Sequence, residues 1–180
     1  MNRLLGLTAL AALAVPAHAA DSVALSTLDL SLAKQGWGTP AADKSAEGTD
    51  LTLGGTKFVS GFGTHADSNL LVDLHGGGVG FTAKVGVDDE TAGEGSVEFF
   101  VIGDDRILWR SGVLHGNDEP VKVAVKLTGV KLLRLHVSDG GDGTGHDHAD
   151  WVDASIAYSG AKPAAIPLGE LKAIDFAAAH

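Results

Sequence analysis

Two imidazoles, three carboxylates and an indole fall within eight residues at His146-Asp147-His148-Ala149-Asp150-Trp151-Val152-Asp153. Groups of this kind ligate cations, bond sugar hydroxyls or brace one another. An apolar core admits them only when each finds a partner. The stretch follows a Gly/Asp run at 139–145, so it reads as lining a site or a polar knot. Three further places carry related chemistry. Trp37 sits in Gln35-Gly36-Trp37-Gly38, His65 in Gly61-Phe62-Gly63-Thr64-His65-Ala66, and Asp88-Asp89-Glu90 closes the apolar run Val85-Gly86-Val87. Each also has an ordinary reading: a packed indole, a hydrogen-bonded histidine between glycine turns, and a solvated strand-to-loop turn.

Several chemistries compete for these residues. His146-x-His148-x-Asp150 matches the opening of the metal-hydrolase signature His-x-His-x-Asp-His. However, Trp151 stands where the next ligand belongs and only His180 lies downstream, so that reading fails on its ligand set. A calcium site asks for roughly six to eight hard oxygens. Asp139, Asp142, Asp147, Asp150 and Asp153 supply carboxylates, and the 37–45 loop supplies Asp43, Ser45 and backbone carbonyls. Their spacing is not that of an EF-hand loop, and the same residues also make plain turns. Sugar binding asks for carboxylates and imidazoles around an aromatic plate. Trp37 and Trp151 read as lying in polar loops suited to such a plate, whereas Ile107-Leu108-Trp109 reads as strand. Paired acids also suggest a glycosidase couple, but length and class imply no extended cleft.

The composition narrows the choice. Arg3, the apolar run 4–15 and Ala17-His18-Ala19 form a Sec-type leader over residues 1–20, cut near Ala19 or Ala20 and too short to span a bilayer. A secreted or periplasmic protein without membrane insertion is expected. Residues 21–159 read as one domain large enough for its own core. Residues 160–180 read as an Ala/Pro linker and tail, with a short helix possible over 171–179. With no cysteine, disulfides, thiol chemistry and Cys-ligated zinc are excluded. A formal charge of -10 with scattered lysines argues against nucleic acid and anionic lipid, and favours a neutral or cationic ligand.

The elements that must position these groups read as strands. Val121, Val123, Val125 and Leu127 alternate with Lys122, Ala124 and Lys126; Phe81 to Val87 and Leu133 to Val137 alternate in the same way. Gly54-Gly55 joins a hairpin between 51–53 and 56–59, and Gly103-Asp104-Asp105 joins another between 96–102 and 106–109. Further strands are expected at 23–30, 69–74 and 152–158, roughly nine in all. This is the pattern of an all-β antiparallel sandwich or jelly roll.

Taken together, Gln35-Gly36-Trp37-Gly38, Gly61-Phe62-Gly63-Thr64-His65-Ala66, Val85-Gly86-Val87-Asp88-Asp89-Glu90, Gly95-Ser96-Val97-Glu98-Phe99, Ser111-Gly112-Val113-Leu114 and Asp147-His148-Ala149-Asp150-Trp151-Val152-Asp153-Ala154 resemble, in order and spacing, the NPCBM family of carbohydrate-binding modules attached to secreted glycosidases. The resemblance runs from about residue 24 to 158. It implies a galactose-binding-like jelly roll, related to discoidin-type domains and malectin, with no catalytic activity. It implies a sugar site in loops at one end of the sandwich, with His65, Asp88, Asp89, His148, Asp150 and Trp151 as candidates beside the Trp37 plate. It also implies a structural calcium held by Asp43, Ser45, Asp153 and the carbonyls of Trp37 and Gly38. A competing reading makes His65, Asp88 and Asp150 a buried network that touches no ligand. The expected partner is a neutral glycan such as a terminal galactoside, with a glycosidase domain as companion; the alternative is a structural or protein-interaction domain without a sugar ligand.

Overall fold

The computed structural model describes residues 19–169, so the leader up to His18 and the helix expected over 171–179 lie outside the described residues. The strands are β1 (Asp21–Ala24), β2 (Ala41–Ala42), β3 (Thr52–Leu53), β4 (Thr56–Lys57), β5 (Gly61–His65), β6 (Ser68–Asp73), β7 (Gly78–Val87), β8 (Ser96–Gly103), β9 (Arg106–His115), β10 (Val121–Lys126), β11 (Leu132–Ser138), β12 (His148–Tyr158) and β13 (Ala164–Ile166). They form two antiparallel sheets. The first runs β10-β7-β12-β5-β2, with β1 added to β12; the second runs β13-β6-β11-β8-β9. The β3–β4 hairpin stands apart from both. Among the described residues, no helix is long and apolar enough to cross a membrane.

The expected alternation sets the two layers face to face. Phe81, Ala83, Val85 and Val87 of β7 point into the same core as Val97, Phe99 and Val101 of β8 and Leu133, Leu135 and Val137 of β11. Trp151 on β12 joins the layers. Its indole is fully buried and meets Phe81 of its own sheet at 5.8 Å and Phe99 of the facing sheet at 5.0 Å, edge-on to both.

Four sequence expectations change here. The 146–153 segment is not a loop, because β12 begins at His148 and keeps Ala149 and Trp151 in the core. Trp151 is therefore a core residue and cannot serve as an exposed sugar plate. The strand expected over 23–30 stops at Ala24. Thr27 Oγ1 bonds the Ala24 carbonyl at 2.7 Å and the Asp29 carboxylate takes the Ser31 N–H, which favours 3-10 turns at Leu25–Thr27 and Leu30–Leu32. The glycine-rich stretch at 61–65 is strand β5 rather than a pair of turns. Lastly, the presumed linker contributes β13, which pairs with β6 at Ala164↔Asp73 through Ile166↔Leu71.

β12 also carries an irregularity with consequences for both of its faces. Its register against β7 shifts between Val152 and Ser155, and Asp153 takes a φ of 49°. This bulge resets the alternation, so Ala154 and Ile156 follow Trp151 into the core although their numbers differ in parity.

Removing the Trp151 indole should cost about 3–5 kcal/mol of unfolding free energy, whereas Trp37→Ala, at a position 52% exposed, should change it by less than about 0.5 kcal/mol. Urea unfolding of the two variants followed by circular dichroism checks this contrast, and similar losses from both would contradict the burial described.

Candidate functional site

The register of β12 with its neighbours places the polar motifs on the outward face of the first sheet. His148 lies opposite His65, Asp150 opposite Gly63 and Val152 opposite Gly61 on β5. On the other side, Asp150 lies opposite Gly86 and Val152 opposite Lys84 on β7. Asp88 continues the row, its N–H donating to the His148 carbonyl at 2.9 Å. The 43–58 segment lies over this face. Leu51, Leu53 and Phe58 pack on Val152, forming a small apolar cluster separate from the main core. Gly63 is required by proximity, since a Cβ there would stand 2.2 Å from the Lys44 carbonyl and 2.6 Å from Ser45 Cα.

Glu90, which the sequence did not single out as a site residue, fastens this cover. Its carboxylate accepts from Ser45 Oγ at 2.5 Å, Thr49 Oγ1 at 2.9 Å and the Glu47 N–H at 3.3 Å, and from His148 Nδ1 at 2.7 Å. Burial works against charge on Glu90, but the bonds from Ser45, His148, Thr49 and Glu47 prevail and hold it below the usual carboxylate range. The only hint in the sequence was the third acid after an apolar strand.

The other acids of that motif brace the same loop from below. Asp88 accepts from the Thr52 N–H at 3.0 Å and caps the 3-10 turn Asp89–Thr91 by accepting from the Glu90 N–H at 2.8 Å. Asp89 takes the Gly54 and Gly55 N–H groups of the β3–β4 turn at 3.0 and 2.7 Å. Asp150 is completely buried, and neither carboxyl oxygen has a protein donor. Burial first, then its contact with Asp88 and the charges of Asp88, Glu90 and Asp89, push its carboxyl well above the ordinary value. Burial thus favours the neutral form of this carboxyl. Asp88 and Asp89, expected as sugar ligands, are thus occupied as loop supports, and Asp150, expected with them, is sealed from solvent.

What faces solvent at this end is the Trp37 indole, lying over the largely buried imidazoles of His65 and His148. Trp37 stacks on His148 at 5.7 Å and 19°, with the His65 ring 5.7 Å from Trp37 and 5.3 Å from His148. Gln35 positions the indole. Its Nε2 donates to the Trp37 carbonyl at 2.6 Å while its Oε1 accepts from Thr64 Oγ1 at 2.7 Å. Gly36 lets this strap lie against the end of β5, because a Cβ would meet the Ala66 carbonyl at 2.3 Å. His65 Nδ1 lies 2.7 Å from the Ala66 carbonyl, which can only accept, so Nδ1 carries the proton. His148 Nδ1 donates to Glu90 in the same way. Neither Nε2 has a protein partner among the described residues, and neither is a sealed, unsatisfied atom, so both reach solvent. Burial lowers the His65 pKa, opposed by the Ala66 bond and assisted by His148 and His146, so its Nε2 is a neutral acceptor at pH 7.

Of the groups expected to hold calcium, Asp43, Ser45, Asp153 and the Trp37 carbonyl are engaged by protein groups. Asp43 accepts from the Gly61 N–H at 3.0 Å, Ser45 donates to Glu90, Asp153 pairs with Lys84 at 3.0 Å, and the Trp37 carbonyl accepts from Gln35. Gly38 lies beside Gln35 and Ala46. Among the described residues no three His, Asp or Glu side chains gather as a cation cage.

A family model described as the NPCBM/NEW2 domain matches residues 21–157. The alpha-1,3-galactosidase B of Akkermansia muciniphila is 34% identical over 135 residues, which are 73% of this chain and 17% of that protein, so the chain spans a small part of that relative's length. The CBM51 from Clostridium perfringens GH95, solved in complex with methyl-galactose, superposes with a TM-score of 0.70 at 37% identity, covering 76% of this chain and 99% of that one. The CBM51-2 domain of Clostridium perfringens ZmpB, solved in complex with GlcNAc and alongside INT domains, superposes at 0.71 and 27% identity, covering 77% and 32%.

Asp147, beside this site, gives a pH-dependent test. Burial raises its carboxyl to about 6 against the Ser96 N–H bond, with Asp142, Asp139 and Asp67 adding to the rise. A raised acid stabilises the fold below its unfolded value near 3.8, and that contribution is lost as pH climbs through about 6. The stability of Asp147→Asn relative to the native protein should therefore grow between pH 4 and 7, by at most about 3 kcal/mol. Urea midpoints across that range read the difference, and a flat one would place Asp147 in a solvated setting.

Proposed function

The chain belongs to the NPCBM/NEW2 domain family, and from that membership we propose that it is a non-catalytic module whose Trp37, His65 and His148 bind a terminal galactoside. The exposed indole face beside two imidazoles with committed Nδ1 protons carries this reading. A galactose ring lays its apolar C–H face on the indole, and its hydroxyls hydrogen-bond the free Nε2 atoms. Glu90, Asp88 and Asp89 surround the site with negative charge, which disfavours acidic sugars and fits a neutral one. The relatives bound to methyl-galactose and to GlcNAc support a sugar ligand of this size.

One shallow plate buries few ligand atoms, so affinity should fall at roughly 0.01 to 1 mM. Attachment to a glycosidase, the setting suggested by the Akkermansia relative, would use such weak binding to hold a catalytic domain near its polymeric substrate. Secretion or periplasmic export after cleavage near Ala19 or Ala20 belongs to the same proposal, and the N-terminus of the processed protein reads it directly.

Titration with methyl-galactose and N-acetylglucosamine, followed by Trp fluorescence and calorimetry, tests the site. Trp37→Ala and His148→Ala should each weaken binding by about tenfold or more, a loss of at least ~1.4 kcal/mol, with the fold intact. No response to either sugar in the native protein would favour a structural or protein-interaction role.

A structural calcium is proposed separately. It would need Asp153 to exchange Lys84 for the ion, with Asp43 nearby on the loop anchored at Gly61. Its presence predicts a thermal midpoint several degrees lower in chelator than in millimolar calcium; identical midpoints remove it.

A further inference from the structure

We propose that the bare half of the first sheet's outward face is a second ligand surface, one that takes an anionic polysaccharide. Past the bulge, β12 turns Ser155 and Ala157 outward. Ser155 lies opposite Thr82 on β7, which lies opposite Ala124 on β10; Ala157 lies between Ser22 of β1 and Gly80 of β7, itself opposite Lys126. These residues floor a groove of about 360 Å³. An adjoining groove of about 310 Å³ shares Thr82 and Ala124 and adds Lys84, Lys122 and Asp153.

Two features define the occupant. The floor is Gly80, Ala124 and Ala157, edged by the hydroxyls of Ser22, Thr82 and Ser155, so a flat, hydroxyl-bearing ring can lie directly on the sheet. The charge is the second. Lys122 stands directly opposite Lys84, an arrangement of like charges that costs stability. Asp153 pairs with Lys84, but among the described residues neither Lys122 nor Lys126 has a carboxylate partner. In a chain of formal charge -10, this is a local cationic excess beside sugar-sized hydroxyl contacts. Carboxylate or sulfate groups on a polysaccharide supply the missing countercharge. This surface uses none of Trp37, His65 or His148, so it stands independently of the galactoside site.

Affinity electrophoresis through gels containing dextran sulfate, polygalacturonate, neutral dextran or polyglutamate tests it at low and moderate salt. The native protein and Trp37→Ala should be retarded by both acidic polysaccharides and not by dextran, with retardation falling as salt rises. Lys122→Glu/Lys126→Glu, whose sites are on the surface, should keep its unfolding temperature and lose about tenfold in affinity. The proposal is overturned if the native protein is not retarded by either acidic polysaccharide, if the double variant binds like the native protein, or if polyglutamate retards it as strongly as the polysaccharides do.

Discussion

A single carboxylate, that of Glu90, holds together the end of the molecule where ligand chemistry is concentrated. It collects donors from Ser45, Glu47 and Thr49 on one loop and from His148 on a strand of the sheet beneath. The same charge therefore decides two things, the position of the loop over β5 and which nitrogen of His148 carries the proton. A buried charge is tolerated only when its bonds outweigh the loss of water, and here four donors do so. Trp37 stacks on the ring that Glu90 orients, so the solvent-facing plate inherits its position from a residue it does not touch directly.

Beneath that anchor the acids differ in what they bond. Asp88 and Asp89 are acceptors for backbone N–H groups of the overlying hairpin. Asp150, on β12 beneath them, is sealed from water, and burial together with the neighbouring acids pushes its carboxyl well above the ordinary value. The acids of this cluster are thus turned to the protein, and the rings beside Trp37 are the imidazoles of His65 and His148.

The layers and most strands could be read from the sequence because side-chain alternation is a local property: 81–87, 121–126 and 132–138 each announce their inward face. The β3–β4 and β8–β9 turns were legible from their glycines and aspartates. The site was only partly so. His65, His148 and Trp37 are brought together as expected, but Trp151 and Asp150 differ by one position and point to opposite faces, one to the apolar core and the other to a covered polar pocket. Which face a strand residue takes depends on register with β5 and β7, and no local pattern reports that. The glycines at 61 and 63 misled for a related reason. They are small to admit a neighbouring loop, not to turn the chain, and the neighbour is distant in sequence. Glu90 escaped notice because its partners lie 41 to 58 positions away.

The length of β12 has one further implication. Its outward stretches on either side of the bulge belong to a single continuous strand, so the spacing between His148 and Ala157 is fixed by backbone geometry at about 25 to 30 Å. The strand acts as a ruler. A mono- or disaccharide can never touch both ends, whereas an extended polymer of roughly six sugar units can, at a length comparable to that rise. Any preference of this module for long chains over short ones would then arise from rigid spacing alone, without a deeper pocket at either end.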